Sequence, residues 1–178
     1  YPASTGSVTF EFRFPRDTEL TGHTKLKLWV ETTEGDDMDL FVIIRKIDAE
    51  GQEVPFTFFA VFEDGPVALG WLRVSHRELD PERSLPWQPW LKHERELPIR
   101  PGEVVPVEIE VLASSTLFRT GEALRLEILG RDSYEPKVQG PVMRHGPLRN
   151  AGEHIIHTGG RFDSHLLVPH VAAKEEKP

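Results

Sequence analysis

Cysteine is absent from all 178 residues. That excludes disulfide bridges, thiolate nucleophiles and cysteine-held zinc, and it leaves the redox compartment undecided. Long apolar runs are missing as well, since no stretch approaches the roughly 20 residues that a membrane helix requires. The N-terminus lacks the charged, apolar and small-residue sections of a signal peptide. Basic charge is in deficit: 21 Lys and Arg stand against 29 Asp and Glu, a net charge of -8, and the basic residues are scattered. Such a surface repels phosphate backbones, so neither nucleic acid nor a membrane is expected as a partner. No segment of ordinary helix length carries a 3.6-residue apolar period. The chain opens on Tyr1 and has no methionine before Met38, so a piece of a longer polypeptide is expected. Localisation stays open, with the cytoplasm slightly favoured.

What is present is alternation, the mark of half-buried strands. In "SVTFEFRF" the residues Val8, Phe10, Phe12 and Phe14 share one face, with Thr9, Glu11 and Arg13 on the wet one. Leu26, Leu28 and Val30 repeat the pattern, and "MDLFVIIRKID" has the continuous apolar centre of a strand covered on both sides. "DAEG" predicts a turn, with Gly51 able to take a positive φ. "VPFTFFAVF" and "LGWLRVSHR" read as strands, as do the alternations of Val105, Val107, Ile109 and Val111 and of Leu124, Leu126 and Ile128. "ASSTLFRTG" between those two reads as a structured turn.

Prolines at 81, 86, 89, 98 and 101 each lack an amide donor, so residues 80–101 form a long irregular connection. A second one runs from Arg131 to Gly152, before the short strands "EHIIHTGG" and "FDSHLLVP". Many strands without helices predict an all-β fold, a jelly-roll β-sandwich, with a closed barrel as the alternative. One domain is expected over 1–178, with its ordered core at about 7–169 and a polar tail at 170–178.

Several residues invite a chemical reading. Ser75 or Ser164 could combine with His76, His154, His157 or His165 and with Asp80 or Asp163, yet adjacent residues on a strand point to opposite faces and do not make self-contained pairs. The chain lacks the Gly-x-Ser-x-Gly elbow that exposes a serine nucleophile. In "HIIH" the histidines lie three apart, which on a strand separates them, whereas metal ligands must converge. Asp36, Asp37 and Asp39 could supply oxygen ligands to calcium, although the spacing of an EF-hand is missing. Trp71, Trp87 and Trp90, with Trp29, suit either sugar stacking or packing against a partner. The double glycine at 159 and 160 predicts a turn. From it Phe162, Leu166 and Val168 alternate into the core, while the polar residues of this last strand satisfy backbone groups.

Three segments taken in order, "GWLRVSHRELDPERSLPWQPW", "LPIRPGEVVPVEIEVLASSTLFRTGEALRLEILGRD" and "NAGEHIIHTGGRFDSHLLVP", resemble the C-terminal domain of X-Pro dipeptidyl-peptidase and cocaine esterase-type α/β-hydrolases. That group also includes α-amino acid ester hydrolases and glutaryl acylase relatives. The resemblance covers Ser7 to Pro169. It departs at Glu122, where relatives commonly carry histidine.

The resemblance implies a galactose-binding domain-like jelly roll joined to a catalytic domain that holds the Ser, Asp and His triad. This chain is then expected to contain no catalytic residue and to need no cofactor. Its partner would be the α/β-hydrolase domain of the same polypeptide, which it braces, with the pocket rim or a homo-oligomer interface as further roles. A free-standing carbohydrate-binding module is the alternative.

Overall fold

The computed structural model describes residues 1–58, 62–132 and 144–172. The long strands are β1 (Ser7–Arg13), β2 (Thr18–Thr32), β3 (Asp39–Ile47), β7 (Ala68–Arg73), β8 (Val105–Phe118) and β9 (Ala123–Leu129). Shorter ones are β4 (Glu53–Val54), β5 (Phe56–Phe58), β6 (Phe62–Gly65), β10 (His154–His157), β11 (His165–Leu167) and β12 (His170–Val171). All named pairings are antiparallel. One curled sheet runs β1-β9-β3-β7-β8-β2-β10, with β11 and β12 added along β2 and β4 along β3, while β5 and β6 form a separate ribbon.

The curl makes the sandwich. β7 meets β8 through a single register pair, Gly70 and Val111, so the two halves fold over one another at that seam. Its outermost strands, β1 and β10, are not paired with each other, so the sheet stays open rather than closing into a barrel.

The period-2 pattern accounts for the core. Leu26, Leu28 and Val30 of β2 and Val105, Val107, Ile109 and Val111 of β8 face Leu40, Val42 and Ile44 of β3 and Leu124, Leu126 and Ile128 of β9; all are buried. On the other face of β3, Phe41 and Ile43 bury with Leu129 in a second cluster, which is why that strand reads as continuously apolar. At the predicted turn Gly51 takes φ +88° and closes a hairpin onto β4.

Three expectations are corrected. "ASSTLF" continues β8 rather than turning; a bulge absorbs the irregularity, with His23 facing both Leu112 and Ala113 as Gly22 takes φ +136°. "VSHR" leaves the sheet as a single 3-10 turn at Val74–His76, because its backbone finds partners elsewhere: Val74 N donates to Met38 O, and Leu97 N donates to Ser75 O. Finally, Phe10 and Phe12 lie on the core side opposite Leu126 and Leu124 but remain 42% and 60% exposed. β1 is the terminal strand, and the opposing layer does not reach it. The expected tail falls mostly outside the described residues, at 173–178, as do 59–61 of "VPFTFFAVF" and 133–143 of the second connection.

Candidate docking interface

The acidic turn between β2 and β3 is a brace. Asp37, 1% exposed, accepts hydrogen bonds from Met38 N at 2.9 Å, Ser75 N at 2.9 Å and Ser75 Oγ at 2.7 Å. Asp39 accepts from Arg73 Nε at 2.8 Å and from Arg149 N at 2.5 Å. The hydrogen bond that Arg73 donates to Asp39 is the main reason the Arg73 guanidinium is held above its ordinary pKa. Arg149 in turn reaches Glu96 at 3.0 Å, and Arg73 Nη2 donates to Pro147 O at 2.7 Å. The carboxylates at 37 and 39 are thus engaged by arginine and amide donors, and Asp36 stands apart, exposed. Among the described residues, no group of three or more His, Asp or Glu is arranged to hold a metal ion.

Neither candidate serine is poised as a nucleophile. Ser75 is buried and donates its hydroxyl hydrogen bond to Asp37, while His76 lies against His93 with ring centroids 5.4 Å apart. Ser164 Oγ donates to His157 O at 2.6 Å and accepts from Trp29 N at 2.9 Å, stitching the last turn onto β2. Asp163 takes Lys27 Nζ at 2.7 Å and Trp29 Nε1 at 2.8 Å, and these hold its carboxyl down at about 2. Asp80 caps its own turn through Glu82 N at 2.9 Å, and His165 Nδ1 lies 2.7 Å from Asp163 O. Ser164→Ala strands a partly buried amide, and the expected cost is about 1–3 kcal/mol, a fall of roughly 3–8 °C in the thermal midpoint by calorimetry.

The two histidines of "HIIH" part company, as strand spacing requires. His157 Nε2 meets Glu31 at 2.8 Å. His154 is fully buried beside Tyr1, its Nε2 without a hydrogen-bond partner. Burial first, and the nearby amino terminus second, push its pKa from 6.5 down to about 4. The unfolded imidazole therefore takes up a proton that the folded one refuses. Stability from this residue is complete above pH 6.5 and is lost as pH falls through about 4. Urea midpoints should drop across that window, and His154→Gln should flatten the drop.

At Glu122, the position of the family departure, the carboxylate bonds Lys46 at 2.7 Å and accepts from Arg119 N at 2.6 Å. It holds the β8–β9 turn.

What remains unsatisfied is apolar surface around Trp71. This side chain, 46% exposed, forms a ridge between two grooves. One, of about 310 Å³, runs past Leu69, Pro89, Trp90 and Leu112; the other, of about 400 Å³, passes Phe41, His145 and Leu148. Leu91 and His93 line both. His145 packs at a tilt against Trp71, ring centroids 4.8 Å apart, and edge-on against Phe41 at 5.3 Å, and Asp132 meets its Nδ1 at 2.8 Å. Trp90, 45% exposed, carries Arg83 over its ring at 4.9 Å. Trp87, 49% exposed, lies outside both linings, and Trp29 packs on Phe162 at 5.7 Å. Sequence reasoning picked out Trp71 and Trp90 but missed His145, Leu148 and the arginines at 73 and 149. No local pattern marks residues that act only by meeting a distant strand.

Contiguous exposed apolar surface is a common feature of interaction sites. Comparisons with known proteins match this chain to part of longer ones. Residues 3–167 match the X-Pro dipeptidyl-peptidase C-terminal non-catalytic domain. Two mycobacterial proteins named as serine esterases, from Mycobacterium bovis and Mycobacterium tuberculosis, are 28% identical over 120 residues, 65% of this chain and 17% of theirs. Two crystal structures of a CocE/NonD family hydrolase from Staphylococcus aureus superpose with TM-scores of 0.85 and 0.86 at 50% and 46% identity. They cover 93% and 97% of this chain but only 30% and 34% of their own. An α-amino acid ester hydrolase, at TM-score 0.61 and 13% identity over 93% of this chain and 25% of its own, shares the fold. The chain thus spans about a third of the staphylococcal hydrolase and less of the mycobacterial esterases. It belongs to the family of X-Pro dipeptidyl-peptidase C-terminal non-catalytic domains found in CocE/NonD-type hydrolases.

Proposed function

We propose that this domain braces the catalytic domain of a serine hydrolase that cleaves ester or amide bonds through an acyl-enzyme. The grooves flanking Trp71 are the seat. The observation that carries this reading is the juxtaposition of Trp71, Trp90, Leu112 and Leu148, each 39–48% exposed, on a fold in which the hydroxyls of Ser75 and Ser164 are engaged in hydrogen bonds within the domain. Aromatic ridges of this type dominate binding energy at protein interfaces. In this reading the sandwich is a galactose-binding domain-like jelly roll. The sugar-binding alternative draws no support from the family match.

In the full-length hydrolase, Trp71→Ala with Trp90→Ala should speed thermal inactivation at least about tenfold, the equivalent of roughly 1.4 kcal/mol of lost packing. The initial kcat/KM should hold. An unchanged inactivation rate would remove the grooves from the interface. The isolated chain should leave p-nitrophenyl acetate untouched; turnover blocked by a serine-directed phosphonate would overturn the non-catalytic reading. Tryptophan fluorescence should stay flat in sugar titrations.

A further inference from the structure

The groove that passes Phe41 and Leu148 is lined by three of the chain's eight histidines, at 76, 93 and 145. Its other ionisable groups are already matched: Arg73 donates to Asp39 at 2.8 Å, and Asp132 meets His145 at 2.8 Å. His76 and His93 are not. Their ring centroids lie 5.4 Å apart, and among the described residues no nitrogen of either ring has a hydrogen-bond partner. His93 is exposed and takes φ +55°, the one non-glycine residue with a positive φ among those described. That backbone is uncommon for a side chain with a Cβ, and such conformations cluster at binding sites, where the surrounding fold holds them.

The enclosed edge of His76 selects the ligand. Its Nδ1 is buried with no acceptor in reach, so the neutral ring carries its proton on Nε2 and offers an N–H donor there. A metal ion would need the lone pair of that nitrogen and would drive the proton onto Nδ1, where a metal-binding histidine ordinarily finds an acceptor and this one has none. His93, exposed beside it, supplies a second donor. Two neighbouring donors match the two oxygens of a carboxylate, whose charge-assisted hydrogen bonds are roughly twice as strong as those of a neutral acceptor. The groove itself spares no carboxylate for them, because Asp39 is taken by Arg73 and by Arg149 N.

We infer that the catalytic domain docked in this groove places an Asp or Glu carboxylate against His76 and His93. This pairing rests on the docking role proposed for the Trp71 grooves, and it fixes the sign of the charge that the partner brings.

Substitution of His93 in the full-length hydrolase tests it. Asn and Asp have nearly the same size and shape and both tolerate a left-handed backbone, so His93→Asn and His93→Asp differ in charge. Asn keeps an N–H donor, whereas Asp sets one carboxylate against another. Thermal inactivation should speed up by less than about threefold in His93→Asn and by at least about tenfold in His93→Asp, because opposed like charges are costly at an interface. This chain alone should melt within about 2 °C of the unmodified one in both variants, since an exposed side chain contributes little to folding. Equal inactivation rates for the two variants would overturn the pairing. So would slower inactivation of His93→Asp, which would show that the partner brings a cation. If Trp71→Ala with Trp90→Ala speeds inactivation while both His93 variants keep the unmodified rate, the carboxylate alone is refuted; if that tryptophan pair has no effect either, the docking role fails with it.

Discussion

Asp37→Ala is expected to cost about 4 kcal/mol, the range found when one partner of a buried charged network is removed. Two backbone amides and one hydroxyl end on this carboxylate, and Arg149 and Arg73 lie 3.7 and 4.0 Å from its Oδ2. Alanine would strand all three donors in a buried site and leave the arginines a charge short. For a domain of this size, calorimetry should record a fall of roughly 8–16 °C in the thermal midpoint. Asp37→Asn retains one carbonyl oxygen for the two amides and should lose about half as much. A loss below about 1 kcal/mol for the alanine variant would show that the 3-10 turn and the 144–150 segment are held by other contacts.

Gly70→Ala should be nearly as damaging, for a different reason. A Cβ at this position would lie 2.4 Å from Glu110 O and 3.2 Å from Val111 Cα. Both are backbone atoms of β8, and neither can swing aside. This is the seam at which the two halves of the sandwich meet through one register pair, so relief requires the layers to part. The expected destabilisation is about 3 kcal/mol, at the upper end of typical overpacking costs. Urea unfolding should place Gly51→Ala well apart from it. That turn has open space around it and a φ of +88°, so the substitution carries only the roughly 1–2 kcal/mol penalty of a left-handed backbone. If the two variants unfold alike, close approach at the seam is not what selects glycine there.

The aromatic signal illustrates how far local pattern reaches. Tryptophans at 71, 87 and 90 stood out at once, because large aromatics in a proline-rich connection or at a strand end are unusual. Which of them share a surface depended on residues 69–72 coming up beside 89–91 and 109–112. His145, which packs against Trp71, arrives from a segment whose sequence has no period. The acidic turn was legible as a cluster of charge but not as a brace, since its partners Arg73, Asn150 and Arg149 are separated from it by between 34 and 111 positions. Charge density in a sequence does not say whether the neighbour will be a cation from solvent or a guanidinium from another strand.

By itself the sequence determined the strand class, the faces of β2, β3, β8 and β9, the glycine turns and the family. Each of these rests on residues adjacent in the chain or on a fixed order of short motifs, and alternation at period 2 is a property of the backbone. The tertiary structure alone decided that Phe10 and Phe12 stay in water, that Ser75 donates its hydroxyl hydrogen bond to Asp37, and that Trp71 becomes a ridge between two grooves. The physical reason is common to all three. Alternation assigns a side chain to one face of its strand, whereas burial, hydrogen bonding and exposure depend on whether another layer extends far enough to cover that face.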